Sequence, residues 1–151
     1  SPMLLKPNLW ELFRLTGSSF DSWSEFVRIA HSLLNRGIAY LLVTLGARGA
    51  IGFSAREVVW WTPPLVTSLS TVGCGDMFLA GFLHALRIQG DFSPAVRFAV
   101  ACGSAKAAVE GTGIPSRALI KRHLLLVRQV PSSRFVRTAE KLLRQARSEG
   151  R

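Results

Sequence analysis

The stretch that most constrains this chain is Ser70–Leu86, STVGCGDMFLAGFLHAL. It opens with Gly73-Cys74-Gly75, passes one acidic residue, Asp76, and continues as a nearly unbroken apolar run. Glycines feeding a helix start leave backbone N–H groups unpaired and aligned, and the helix dipole adds partial positive charge there. Such a turn is an anion site, with phosphate the commonest occupant. A carboxylate at that place would repel a phosphate ligand. It is well placed, however, to take the proton from a hydroxyl that attacks the phosphate. The stretch therefore points to phosphoryl transfer to an alcohol with Asp76 as base, although a G-x-G-D alone also reads as a plain helix start.

The surrounding pattern supplies a scaffold for that turn. Met3-Leu4-Leu5 suits a buried strand end, stopped by Lys6-Pro7-Asn8. Asn8, with Glu11 three residues on, has the form of a capping box and starts a short helix that ends at Gly17. Ser22–Asn35 is a second helix with Phe26, Ile29, Ala30, Leu33 and Leu34 on its apolar face. Residues 39–45 form a continuous apolar run of the kind found in strands covered on both faces. Ala50–Ser54 and Val58–Thr62 are expected as an antiparallel pair, and Val66–Leu69 as a last short strand. Helices are expected over 77–88, over 95–109 with Ser93 as cap and Pro94 at the first position, and over 116–127. Ser132–Glu149 is an amphipathic basic helix.

Helices alternating with apolar strands predict an α/β architecture, in which ligands collect at the carboxyl ends of strands. Three loops follow apparent strands, at 6–11, 44–49 and 70–76. All three carry polar or glycine residues suited to phosphate and metal.

Composition narrows the setting. A chain of 151 residues with 48% hydrophobic content has room for one domain with a real core. No apolar run reaches the ~18–20 residues of a membrane span, and the N-terminus lacks the form of a signal peptide. Cys74 and Cys102 have no metal-ligand spacing and are expected as free thiols in a cytoplasmic protein. The net charge of +10 is concentrated at one end: residues 1–115 carry +2 and residues 116–151 carry +8. Arg134, Arg137, Lys141, Arg144 and Arg147 could meet nucleic-acid or membrane phosphates. A solvated helix face is the favoured reading, because no base-reading module accompanies them. His31, His84 and His123 are expected to be structural or surface residues, and Trp60-Trp61 to pack.

Taken together, the motifs resemble a known family. Thr71–Asp76 (TVGCGD) resembles the T-x-G-A-G-D signature of the ribokinase-like carbohydrate kinases of the phosphofructokinase B type. KPNLWE (6–11) is similar to that family's N-x-x-E stretch, and VTLGARG (43–49) looks like its T-x-G-x-x-G nucleotide loop. Pro63-Pro64-Leu65-Val66 ahead of Ser70-Thr71-Val72-Gly73 resembles the branch of 1-phosphofructokinase and tagatose-6-phosphate kinase.

The resemblance covers roughly residues 3–115. It implies the C-terminal, nucleotide-binding portion of a ribokinase-like three-layer α/β/α sandwich, over residues 1–130, followed by the basic helix at 131–151. It implies ATP and Mg2+ as cofactors and a sugar or sugar-phosphate as acceptor. Asp76 would be the general base, and the N–H groups of Gly73, Cys74 and Gly75 the anion hole. Thr44, Gly46, Gly49 and Thr71 would contact the nucleotide phosphates, and Gly103 and Gly111 would border the adenine. Asn8 and Glu11 would act on magnesium through water.

Two positions depart from the family pattern. Ser70 stands where much of the family has an Asp that helps hold a monovalent cation, which argues against potassium activation and fits the sugar-phosphate branch. Cys74 replaces the usual Ala and keeps the backbone N–H. The match to a C-terminal half implies a fragment or split domain whose open sheet edge a homodimer or an N-terminal half would cover. Two alternatives stand beside a sugar-phosphate kinase: a non-catalytic nucleotide-binding or interaction module with a basic tail, and a ribokinase- or nucleoside-kinase-like enzyme.

Overall fold

The computed structural model describes residues 2–17 and 20–149, the last three of these by backbone only. Five strands form a sheet in the order β1 (Leu4–Leu5), β2 (Tyr40–Thr44), β3 (Ala50–Ser54), β4 (Val58–Thr62) and β5 (Arg128–Gln129). β1 and β2 run parallel, with Leu4 opposite Tyr40 and Leu5 opposite Leu41. The three residues between β3 and β4 are too few for a parallel crossover. Ser54 closes that turn: its N–H donates to the Glu57 carbonyl at 3.0 Å, and its hydroxyl accepts from the Arg56 and Glu57 N–H groups. β5 lies antiparallel to β4, with Trp61 opposite Gln129. Leu41, Leu42 and Val43 of β2 are all fully buried, as the continuous apolar run implies.

The described helices are α1 (Leu9–Thr16), α2 (Trp23–Leu34), α3 (Cys74–Gln89), α4 (Phe92–Ala107), α5 (Arg117–Leu126) and α6 (Phe135–Glu149). Their boundaries follow from caps. Asn8, Ser22 and Ser116 each accept an N–H bond from the residue three positions on. Gly17 ends α1 and Gly90 ends α3, both in the left-handed conformation that glycine adopts without penalty.

The chain divides into two compact units. The first comprises Ser1–Leu45, Ile51–Trp60 and Val130–Arg151. Its core joins Leu12 and Phe13 of α1, Phe26 and Ala30 of α2, Leu41 and Val43 of β2, Phe53 of β3, and Phe135, Ala139, Leu142 and Leu143 of α6. Aromatic rings link these elements. Phe20 lies edge-on to Phe13 at 4.8 Å and stacks on Phe26 at 5.1 Å, Phe26 meets Phe53 at 5.2 Å, and Trp23 meets Phe135 at 5.4 Å. Such pairs add about 0.5–1.5 kcal/mol each beyond their burial.

The second unit comprises Gly46–Ala50 and Trp61–Gln129. Small residues let α3 and α4 approach closely: a Cβ on Gly81 would lie 2.7 Å from the Cys102 sulfur. α5 is tied to α4 by a buried bond between Ser104 Oγ and His123 Nδ1 at 2.8 Å, and by Arg97 donating to the Leu124 carbonyl at 3.0 Å. Burial and the neighbouring Arg122 charge hold the His123 pKa below its usual value. The indole N–H of Trp61 donates to Ser93 Oγ, and the Arg97 guanidinium lies over the Trp61 ring. His123 and Trp61 are therefore structural, as expected.

Three expectations are corrected. Residues 66–69 form no strand: Pro63 and Pro64 remove two N–H donors just upstream, and the Leu69 N–H donates instead to the Ala107 carbonyl at 2.8 Å. α4 is capped by Asp91 rather than Ser93, because burying Phe92 recruits the earlier turn, and Pro94 still falls in the first turn, where it is tolerated. α3 begins at Cys74, three residues ahead of expectation, so the glycine turn runs directly into the helix. Arg147, assigned to the basic stripe, lies outside the described side chains.

Candidate phosphate and nucleotide site

The start of α3 is built to leave its amides open. Gly73, the N-cap, has φ 74°, and no side chain caps the helix. The turn ahead of it is held by one side-chain and one backbone acceptor: the Val72 N–H donates to Ser70 Oγ at 3.2 Å, and the Cys74 N–H to the Thr71 carbonyl at 3.3 Å. The ordinary helical ladder then begins with the Met77 N–H donating to the Gly73 carbonyl. The amides of Gly75 and Asp76 precede that ladder and lie in the first turn, where the helix dipole is most positive. Asp76 is exposed, and Gly73, Cys74 and Gly75 are half-buried.

Around this turn the structure gathers several residues. Gly103 of α4 lies under it, since a Cβ there would be 3.4 Å from both the Cys74 carbonyl and Phe78 Cβ. Gly103 thus serves close approach of α4 to α3, a role the sequence pattern did not separate from nucleotide binding. Gly111, at φ 52°, presents its carbonyl to Lys106, whose ammonium donates to it at 2.6 Å. The stem of Lys106 passes Gly73, where a Cβ would be 3.4 Å from Lys106 Cε. Burial raises the Cys74 pKa and the Lys106 charge opposes that rise, while burial alone pushes Cys102 up to about 11. The Cys74 thiol points back to the Ser70 carbonyl at 3.6 Å. No motif marks Lys106 in the sequence, where it is the one charge of the alanine-rich stretch 99–108.

The loop after β2 is a single turn of 3-10 helix, Gly46–Arg48, closed by the Gly49 N–H donating to the Gly46 carbonyl at 3.0 Å. Its two glycines differ. A Cβ on Gly49 would fall 1.9 Å from the Trp61 carbonyl oxygen, so Gly49 is required by the packing of this turn. Gly46 has φ 59° and open space where a side chain would be. That leaves its backbone accessible to a ligand.

In the first unit, Asn8 pairs with Thr44 as a parallel bridge, and the Thr44 N–H donates to the Pro7 carbonyl at 3.0 Å. Asn8 and Glu11 form the capping box: Asn8 Oδ1 accepts from the Glu11 N–H at 2.8 Å, and Glu11 Oε2 from the Asn8 N–H at 2.7 Å. Both side chains are exposed. Each keeps unused acceptor capacity, a second lone pair on the amide oxygen and the other carboxylate oxygen. Hard oxygen donors of this kind suit magnesium, which takes few protein ligands and retains water.

Comparison with known proteins shows what the chain is similar to. The profile of the pfkB family carbohydrate kinase matches residues 1–119. The 1-phosphofructokinase of Borreliella burgdorferi is 33% identical over 108 residues, which are 71% of this chain and 35% of that protein. The 1-phosphofructokinase of Escherichia coli is 32% identical over 117 residues, 78% of this chain and 38% of that protein. The crystal structure of phosphofructokinase-2 from Escherichia coli in complex with substrates and products superposes with a TM-score of 0.76 at 31% identity, over 82% of this chain and 40% of that one. The chain thus spans little more than a third of the length of the curated relatives it matches. The matched span contains all three loops together with the helix that the glycine turn begins, and on that ground the chain belongs to the pfkB family of carbohydrate kinases.

Proposed function

We propose that this chain is the nucleotide-binding, C-terminal part of an ATP-dependent sugar kinase. In this reading the γ-phosphoryl group of Mg-ATP passes to a hydroxyl of a sugar or sugar-phosphate such as fructose 1-phosphate or tagatose 6-phosphate. The observation that carries the reading is the uncapped start of α3, with an exposed carboxylate at its third residue. The amides of Gly73 and Gly75 hydrogen-bond the phosphoryl oxygens, whereas the Cys74 N–H is already committed to the Thr71 carbonyl at 3.3 Å; preorganised donors of this kind stabilise developing charge without reorganisation. Asp76 accepts the proton of the attacking hydroxyl. Thr44, Gly46, Gly49 and Thr71 face the nucleotide phosphates, and the Gly103 and Gly111 backbone borders the base. Bound magnesium would neutralise phosphate charge, with Asn8 and Glu11 holding its water shell. Positioning and charge supply most of the catalysis in phosphoryl transfer. The similarity to 1-phosphofructokinases supports a sugar-phosphate acceptor.

Calorimetric titration of the folded chain with Mg-ATP tests the site. Saturable binding that Gly75→Val abolishes is the expected result. Saturable binding that is equal in both proteins would move the phosphate site away from α3.

A further inference from the structure

Lys106 is only 5% exposed. Among the described residues no other Lys, Arg, Asp or Glu is buried, and no carboxylate lies within ion-pair distance of it. Its single recorded partner is the neutral Gly111 carbonyl, which leaves two of its three N–H donors without an acceptor among the described residues. A single neutral carbonyl neither uses all three donors of an ammonium nor balances its charge. Nor does Gly111 explain the lysine, because Gly111 is exposed and water can satisfy its carbonyl. What the ammonium does have nearby is the anion turn. Its stem crosses Gly73, and its charge is felt at the Cys74 thiol.

We propose that Lys106 is a phosphate-binding residue whose ammonium is the counter-charge for the phosphoryl group held at the Gly73–Asp76 turn, with the Gly111 carbonyl fixing its position. The proposal rests on the reading of that turn as the phosphate site, and it adds a side-chain cation to a site otherwise made of backbone. A bound phosphate then supplies the opposite charge that the buried ammonium lacks among the described residues.

The test is the ratio of affinities for ADP and adenosine, measured by calorimetry on the 151-residue chain and its Lys106→Met variant. The substitution keeps the stem and removes the charge. A charge-assisted hydrogen bond contributes about 1.5–3 kcal/mol, so ADP affinity should fall roughly ten- to a hundredfold while adenosine affinity holds. Parallel loss of both would make Lys106 a support for the Gly111 loop, and unchanged ADP affinity would also overturn the proposal. A native chain that binds adenosine but neither ADP nor inorganic phosphate would overturn the phosphate site itself. Should Lys106→Met fail to fold, the unmodified chain decides. Saturating inorganic phosphate should shift the pH profile of Cys74 alkylation upward by neutralising the nearby ammonium. An unshifted profile with phosphate bound would overturn the assignment.

Discussion

Two helices in this molecule begin in opposite ways. α1 starts with a side-chain cap: Asn8 and Glu11 exchange hydrogen bonds at 2.8 and 2.7 Å, which occupy two N–H groups of the helix start without a ligand. α3 starts open, with a left-handed glycine at its cap position, no side-chain cap, and a buried ammonium nearby. A capped end stabilises the fold, and an uncapped one is poorer in stability but available to an anion. Both ends lie in loops that match the same family pattern, so motif resemblance alone would give them equal weight. Hydrogen bonding separates them: the start of α1 is stabilised by its own side chains, whereas the start of α3 has no side-chain cap and leaves the Gly75 and Asp76 amides available to an anion.

The sharpest way to break that contrast is Asp76→Asn. If the open end is the reaction site, phosphoryl transfer from Mg-ATP to a sugar-phosphate should fall about 10²–10⁴-fold, the range for loss of a general base, with Mg-ATP binding retained. Undiminished transfer would remove Asp76 from the chemistry. A smaller effect is expected at the capped end. Asn8→Ala should lower stability to chemical denaturation by about 0.5–2 kcal/mol. Glu11→Gln keeps the box and should leave stability unchanged, so weaker magnesium dependence of nucleotide binding in that variant would show that the capped end also serves the ligand.

The smallest effect concerns the platform behind α3. Because His123 is held below its usual pKa of 6.5, the unfolded chain binds the proton more readily. The stability contributed by the neutral ring is therefore full above that value and is lost as pH falls through the lower folded value. Amide protection in α4 and α5, corrected for the pH dependence of intrinsic exchange, should fall below pH 6.5 with that in α1 unchanged, and a uniform response would show that the two regions open together.

Much of this was legible in the sequence. The β3 and β4 boundaries, the capping box at Asn8 and the glycine turn all follow from local chemistry, and the structure places them as expected. Two of the failures, at residues 66–69 and at β5, have a common cause in partners far along the chain. Residues 66–69 have strand composition, but the Leu69 N–H is claimed by the carbonyl of Ala107. β5 is two exposed polar residues with no strand signal, ordered by pairing to Trp61 and Thr62. At the site, the glycines announced themselves, but their separate duties did not. Gly49 answers to the Trp61 carbonyl and Gly103 to α3, while the backbone at Gly46 is left open. Lys106 was invisible because nothing in its neighbours along the chain shows that its ammonium turns inward.

α6 has a consequence for how the molecule is made. The first unit draws on residues from the start of the chain, yet Phe135, Ala139, Leu142 and Leu143 of α6 complete its core. The second unit ends at Gln129. A ribosome delivers the chain from the N-terminus at about 5–20 residues per second. The second unit therefore has all its parts before α6 is made, and the apolar surfaces of α1 and α2 that α6 completes wait for it while residues 61–129 are synthesised.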